Sequence, residues 1–209
     1  MTIKALILQG EGEKLDFKNK ISNCEKIAKT LVAFANTKGG RLLVGVADDG
    51  TIKGVKNEEE EKYMLDRAGR LYCRPAIELH YDEIYCDDKL VLVAHIAESD
   101  TKPHYAMDEH HKWWVYMRVE DKSLLAGKVM VDVLHRSQHA KGMLLKYTEK
   151  EKQLLTYLHT NGTAQLSELC QHLQLSKRRT QRMLVNLILA GLIQVHNADH
   201  QEYYTEKPD

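Results

Sequence analysis

No stretch of the 209 residues approaches the ~20 consecutive apolar positions that a membrane-spanning helix requires, so no transmembrane span is expected. Residues Met1 to Leu8 are too short and too weakly basic a segment for a secretory signal, and the protein is expected in the cytoplasm. The four cysteines, Cys24, Cys73, Cys86 and Cys170, include no C-x-x-C pair. That spacing argues against a structural zinc site, nothing in it argues for an oxidising compartment, and the thiols are read as reduced and mostly buried. There is no G-x-x-x-x-G-K-S/T loop to cradle nucleotide phosphates and no G-x-S-x-G elbow for a serine nucleophile. Excess charge is lacking too. Thirty Lys and Arg against 30 Asp and Glu give a formal net charge of zero, which removes any global electrostatic argument for a polyanionic partner. The chain also has no internal repeats and no low-complexity segments.

What is present is a soluble composition, 43% hydrophobic and 29% charged, enough to pack a core. Ile3 to Gln9 reads as a short helix ending at Gly10, and Leu15 to Lys18 alternates like a strand. Between Ile21 and Asn36 the apolar residues Cys24, Ala28, Leu31, Val32 and Ala35 fall on one helical face. Thr37-Lys38-Gly39-Gly40 then stops the helix, since glycine tolerates the left-handed conformation needed there. Leu42 to Ala47 is a buried strand, Asp48 to Thr51 a turn, and Ile52 to Val55 a returning hairpin arm. Glu58 to Tyr72 is helical, with Glu58 to Glu61 as its solvated, acidic first turn. Ile77 to Tyr85, Leu90 to Ile96 and Trp113 to Val119 read as strands, and Val129 to His135 as a closing helix. Helix and strand mix without strict alternation, so the class is α+β. Residues 1–136 form one domain, 137–147 a linker, and 148–209 a second domain.

The second domain carries the clearer pattern. Thr148 and Glu151 match a capping box that opens a helix ending at Asn161-Gly162. A short helix bears Leu166, Leu169, Cys170 and Leu173, and Ser176 caps a third. In that third helix Thr180, Met183, Leu184, Leu187 and Ile188 recur at helical spacing and face the core. At 100° per residue Arg178 and Arg182 take the opposite face, flanked by Arg179 and Gln181. A hairpin of Leu192–Val195 and Tyr203–Thr205 around Asn197 to His200 completes a winged helix. Residues 148–209 hold seven basic and seven acidic side chains, yet four of the basic ones lie within Lys177 to Arg182. The charge is local, and it is suited to phosphates and base edges.

Three segments of the first domain resemble the Schlafen/Alba-like domain. They are Gln9-Gly10-Glu11-Gly12-Glu13-Lys14-Leu15-Asp16-Phe17-Lys18, Ala33-Phe34-Ala35-Asn36-Thr37-Lys38-Gly39-Gly40, and Leu43-Val44-Gly45-Val46-Ala47-Asp48-Asp49-Gly50. They are similar to the family's E-S-x-x-x-E-F-K, A-F-A-N-T-x-G-G and I-G-V-x-D-D-G. Lys102-Pro103-His104 and Tyr116-Met117-Arg118-Val119 fit its later pattern, and the likeness covers roughly residues 3–135. The resemblance implies a bacterial chain that ends in a winged helix and acts as a transcriptional regulator. Family members often carry an ATP-binding label. With no phosphate loop, Gly39 and Gly40 are read here as a helix stop. Animal Schlafens that cleave RNA use three carboxylates, which by motif fall on Glu11, Asp16 and Asp48. Such a cluster holds Mg²⁺ or Mn²⁺, which neutralises phosphate and activates water. Asp16 stands where the family has Glu, one methylene longer.

Other signals are weaker. His110-His111 beside Asp108 and Glu109 read as a polar hairpin loop rather than a metal site, and Trp113-Trp114 as strand residues rather than a base-stacking pair. Three functions stay open. One is a non-enzymatic DNA-binding (or RNA-binding) regulator, a homodimer contacting nucleic acid through Lys177, Arg178, Arg179, Gln181 and Arg182, with no cofactor. Another is a metal-dependent ribonuclease whose catalytic and metal-binding residues are Glu11, Asp16 and Asp48. The third is an assembly protein whose winged helix packs on a partner.

Overall fold

The structure is a computed structural model in which residues 2–137, 147–198 and 201–208 are described. Contacts divide the chain into two units, Met1–Leu125 and Ala126–Asp209.

The first unit runs α1 (Ile3–Gln9), β1 (Leu15–Lys18), α2 (Cys24–Asn36), β2 (Gly40–Val44), α3 (Glu58–Leu71), β3 (Cys73–Arg74), β4 (His80–Cys86) and β5 (Lys89–Ile96). Then come β6 (Tyr105–Met107), β7 (Trp113–Trp114), β8 (Tyr116–Val119) and β9 (Lys122–Leu125). Its main sheet has the order β1-β2-β5-β4, with β1 and β2 parallel and the other pairs antiparallel. The parallel pair is joined through α2, as a parallel connection requires. Successive strand residues face opposite sides, so a sheet covered on both faces needs apolar residues without interruption. β2 and β5 show this. Leu42, Val44, Leu92, Ala94 and Ile96 pack with α2 and α3, while Leu43, Val91 and Val93 pack with Ile3 and Leu6 of α1 and with Leu15 and Phe17.

Local signals set the helix limits. Asn23 and Asn57 cap α2 and α3 through their side chains, accepting from Lys26 N (2.8 Å) and Glu60 N (3.2 Å). Glu61 is not merely solvated: it accepts from Ile21 N at 2.7 Å, and burial raises its pKa. At the end of α2, Gly39 takes φ +64° and donates to Phe34 O at 2.9 Å, the left-handed stop expected there.

The second unit contains α4 (Lys128–Ser137), α5 (Glu149–Asn161), β10 (Thr163–Gln165), α6 (Leu166–Leu173), α7 (Lys177–Leu189), β11 (Ile193–Ala198) and β12 (Gln201–Glu206). Strands β10, β12 and β11 pair in that order, antiparallel, to make the winged sheet. The Thr148–Glu151 capping box is formed. Leu154, Leu158, Leu169, Leu173, Leu184, Leu187 and Tyr204 fill the core.

Several sequence expectations shift. Ile52 to Val55 turns back as expected but forms no regular strand: Val46 and Ile52 make an isolated antiparallel bridge, Lys53 N and Gly54 N donate to Gly45 O, and Val55 N bonds to Leu90 O. Trp113 to Val119 is two short strands in different sheets. The helix expected to close the first domain groups with the second unit, where Val129 and Val133 join the winged-helix core and Glu202 of β12 accepts from Gly127 N–H. Of the expected linker, residues 138–146 lie outside the described residues, as do Asp199 and His200 of the expected wing turn.

A Cβ at Gly39 would lie 2.7 Å from both Glu98 N and Ile96 O, backbone atoms with little freedom to move. Adding that clash to the left-handed strain, Gly39→Ala is expected to cost roughly 2–4 kcal/mol. Urea unfolding measures it; a midpoint equal to the parent's would mean that the loop adapts.

Candidate functional site

Helix α7 begins at Ser176, whose carbonyl accepts from Arg179 N (2.9 Å) and Thr180 N (3.0 Å). Ser176 makes no side-chain cap bond, so the cap read from the sequence is a backbone one. Thr180, Met183, Leu184 and Leu187 are buried, which orients the helix. Lys177, Arg178, Arg179 and Arg182 are exposed and Gln181 is half-buried. The first turn holds no acidic residue, and Lys177 to Leu189 contains none.

The face opposite the core is not uniformly solvated. Val185 lies seven residues after Arg178 and three after Arg182, on their face, and is only 1% exposed. Helix α4 packs along α7 there, and a cleft between them is lined by Lys128, Asp132, His135 and Arg136 on one side and Arg178, Gln181, Arg182 and Val185 on the other. The sequence did carry a sign of this. An apolar residue at the seventh position after Arg178 interrupts an otherwise polar stripe.

Of the three carboxylates in the first unit, the structure brings two together. Glu11 is half-buried, its Oε1 accepting from Phe17 N at 2.7 Å. Its pKa is raised, first by burial and then by the neighbouring Asp16. Asp16 is buried, with Oδ1 3.1 Å from Arg118 Nη2 and Oδ2 2.8 Å from Lys18 Nζ. Asp48 is exposed in the turn, and no group of three His, Cys, Asp or Glu among the described residues is placed to hold a metal ion. The fit to a Mg²⁺ or Mn²⁺ centre is poor, because two cationic side chains already compensate Asp16. An incoming divalent ion would have to displace them.

Residues read only as parts of motifs turn out to brace this region. Arg118 is buried. Besides Asp16 it donates to Gly12 O (3.0 Å) and Leu15 O (3.1 Å), and it lies 4.9 Å above the Phe34 ring. Asn36, also buried, donates to His104 O and Tyr116 O and accepts from His104 N. His104 contacts Pro75 O through Nδ1 and Ser99 Oγ through Nε2, and burial lowers its pKa. His110 and His111 are exposed loop residues. Asp108 receives His110 N, Lys112 N and the Trp114 indole, which fixes that turn.

Losing Arg118 would leave the buried Asp16 carboxylate with only Lys18 of its two cationic partners. Arg118→Met is therefore expected to destabilise by about 3–5 kcal/mol, with Arg118→Met/Asp16→Leu recovering much of it. Chemical unfolding of the pair and both singles tests this, and additive losses would count against it. A pH series probes Glu11. Because its folded pKa is raised, the stability from its protonated form is full below the ordinary value of 4.5 and is lost as pH rises through the folded value. Glu11→Gln keeps the acceptor for Phe17 N and should flatten that decline.

The comparisons with known proteins agree with this division. The family model "Schlafen, AlbA_2" matches residues 11–126, and "FeoC like transcriptional regulator" matches residues 152–203. No curated protein matches the chain. Among solved structures, the DIP2311 protein of Corynebacterium diphtheriae is 21% identical over 60% of this chain, with a TM-score of 0.44. The alignment takes in 24% of that protein, so this chain spans about a quarter of its length. The N-terminal domain of a RecG-related protein of Nitrosomonas europaea is also 21% identical, over 52% of this chain and 82% of that one, with a TM-score of 0.43. With more than half of its 209 residues inside the match at 11–126, the chain belongs to the Schlafen, AlbA_2 family.

Proposed function

We propose that this protein is a DNA-binding transcriptional regulator that contacts duplex DNA through the N-terminal half of α7. The observation that carries the reading is the exposed set Lys177, Arg178, Arg179 and Arg182, on a helix with no acidic residue and in a protein with no net charge. The match of residues 152–203 to a transcriptional-regulator model supports it. With Val185 covered by α4, the part of α7 offered to the major groove is Lys177 to Arg182. That suits docking through the first turns of a recognition helix. Arginines reach phosphates or guanine edges, and Gln181 is the side chain suited to adenine. In this reading four cations on one short segment give modest affinity to a single copy. Two copies on a two-fold site would add their contacts.

Binding to duplex DNA across a salt series tests the reading. Removing one cation that meets a phosphate should lower the slope of log affinity against log salt by about 0.9. Arg178→Ala/Arg182→Ala is expected to cut the slope by about 2 and to weaken binding at least about tenfold at low salt. An unchanged slope would remove α7 as the contacting helix.

A further inference from the structure

We propose that α4 is a second nucleic-acid-contacting helix, and that the α4–α7 cleft seats the phosphodiester backbone flanking the recognition helix. The inference rests on the reading of α7 as the DNA-contacting helix and adds an element outside the three-helix core of the winged helix. Lys128, Asp132, His135 and Arg136 recur at i, i+4, i+7 and i+8, so they share one face of α4, and all four line the cleft. Val129 and Val133, one position along from Lys128 and Asp132, are buried in the core of the same unit. An apolar stripe thus fixes the helix while its polar stripe turns to the cleft opposite Arg178 and Arg182.

The charge in this cleft is one-sided. Lys128, Arg136, Arg178 and Arg182 are permanent cations, and Asp132 is the one carboxylate among the lining residues, held by Lys128 at 2.8 Å. Two facing helices that only needed to pack would gain by opposing unlike charges, whereas like charges across a helix pair cost stability. A polyanionic occupant reverses that cost. The cleft volume, about 330 Å³, is at the low end for ligand sites, and seven of its eight lining residues carry a polar or charged group, which suits a short anionic segment. Guanidinium groups match the forked geometry of phosphate oxygens, and here both helices carry them, Arg136 on α4 and Arg178 and Arg182 on α7. The dimensions agree as well. Packed helices lie ~8–10 Å apart, and the major groove is ~12 Å wide. A helix packed beside one lying in the groove therefore overlies the phosphate strand at its border.

The experiment is duplex-DNA binding by the full chain over a salt series, with thermal melting as the check on folding. Lys128→Ala/Arg136→Ala is expected to lower the salt slope by about 2 and weaken binding roughly tenfold, with Arg136→Lys retaining the parental slope. Asp132→Asn, close in size to the parent side chain, removes the cleft's carboxylate. It is expected to tighten binding about two- to fivefold and steepen the slope, a gain that a merely structural role for α4 does not produce. It also keeps the proposal testable if Arg136→Ala fails to fold. If the α7 variants lower the slope while the α4 variants and Asp132→Asn leave it unchanged, α4 is excluded and the α7 reading survives. If the parental chain binds an acidic peptide and no duplex, both readings fall.

Discussion

The first unit depends on one buried guanidinium. Arg118, on β8, reaches the carboxylate of Asp16 and the carbonyls of Gly12 and Leu15, and it lies over the ring of Phe34 in α2. Its own backbone N–H is taken by Thr37 Oγ1 just past the end of α2. A single residue thus joins the edge strand of the main sheet, the helix that crosses it, and the two-stranded β8–β9 ribbon. A charge so enclosed is tolerable only when it is paired and hydrogen-bonded, so these bonds stand or fall together. The same arrangement makes Asp16 a structural anion and leaves Glu11 beside it under pressure to hold its proton.

The second unit is organised by a different constraint, one helix serving two neighbours. The buried stripe Thr180, Met183, Leu184 and Leu187 satisfies the winged-helix core, and Val185 takes α4 on the far side. Only the first turns are left for a ligand, and the arginines are concentrated there. Fold and charge pattern therefore agree about which part of α7 is available, although they have separate causes.

The sequence announces long elements and capped ends well. The Thr148–Glu151 box, the Gly39 stop, and the uninterrupted apolar runs of β2 and β5 each state a local requirement that few other structures satisfy. Strands of two to four residues, such as β3, β6 and β9, are too short to show an alternation. The pairing that makes them strands is supplied by residues far away in the chain. The allegiance of α4 was hidden for a related reason: an apolar stripe says that a helix packs, but not on what. Among the site residues, the exposed cations of α7 were legible because exposure follows from helical phase. Asp16 was not, since a carboxylate that meets a metal and one that meets an arginine look alike until the partner, 102 positions away, is in place.

Where the second unit begins has a practical consequence for dissecting the chain. A fragment cut at Thr148, where the capping box marks the start of a winged helix, would bare Val185 on the very helix that carries the arginines. It would also leave a hydrophobic strip beside a cationic one, a surface prone to self-association and to unspecific adsorption onto polyanions. The smallest piece that keeps its own apolar surface covered starts at Ala126, with α4 included.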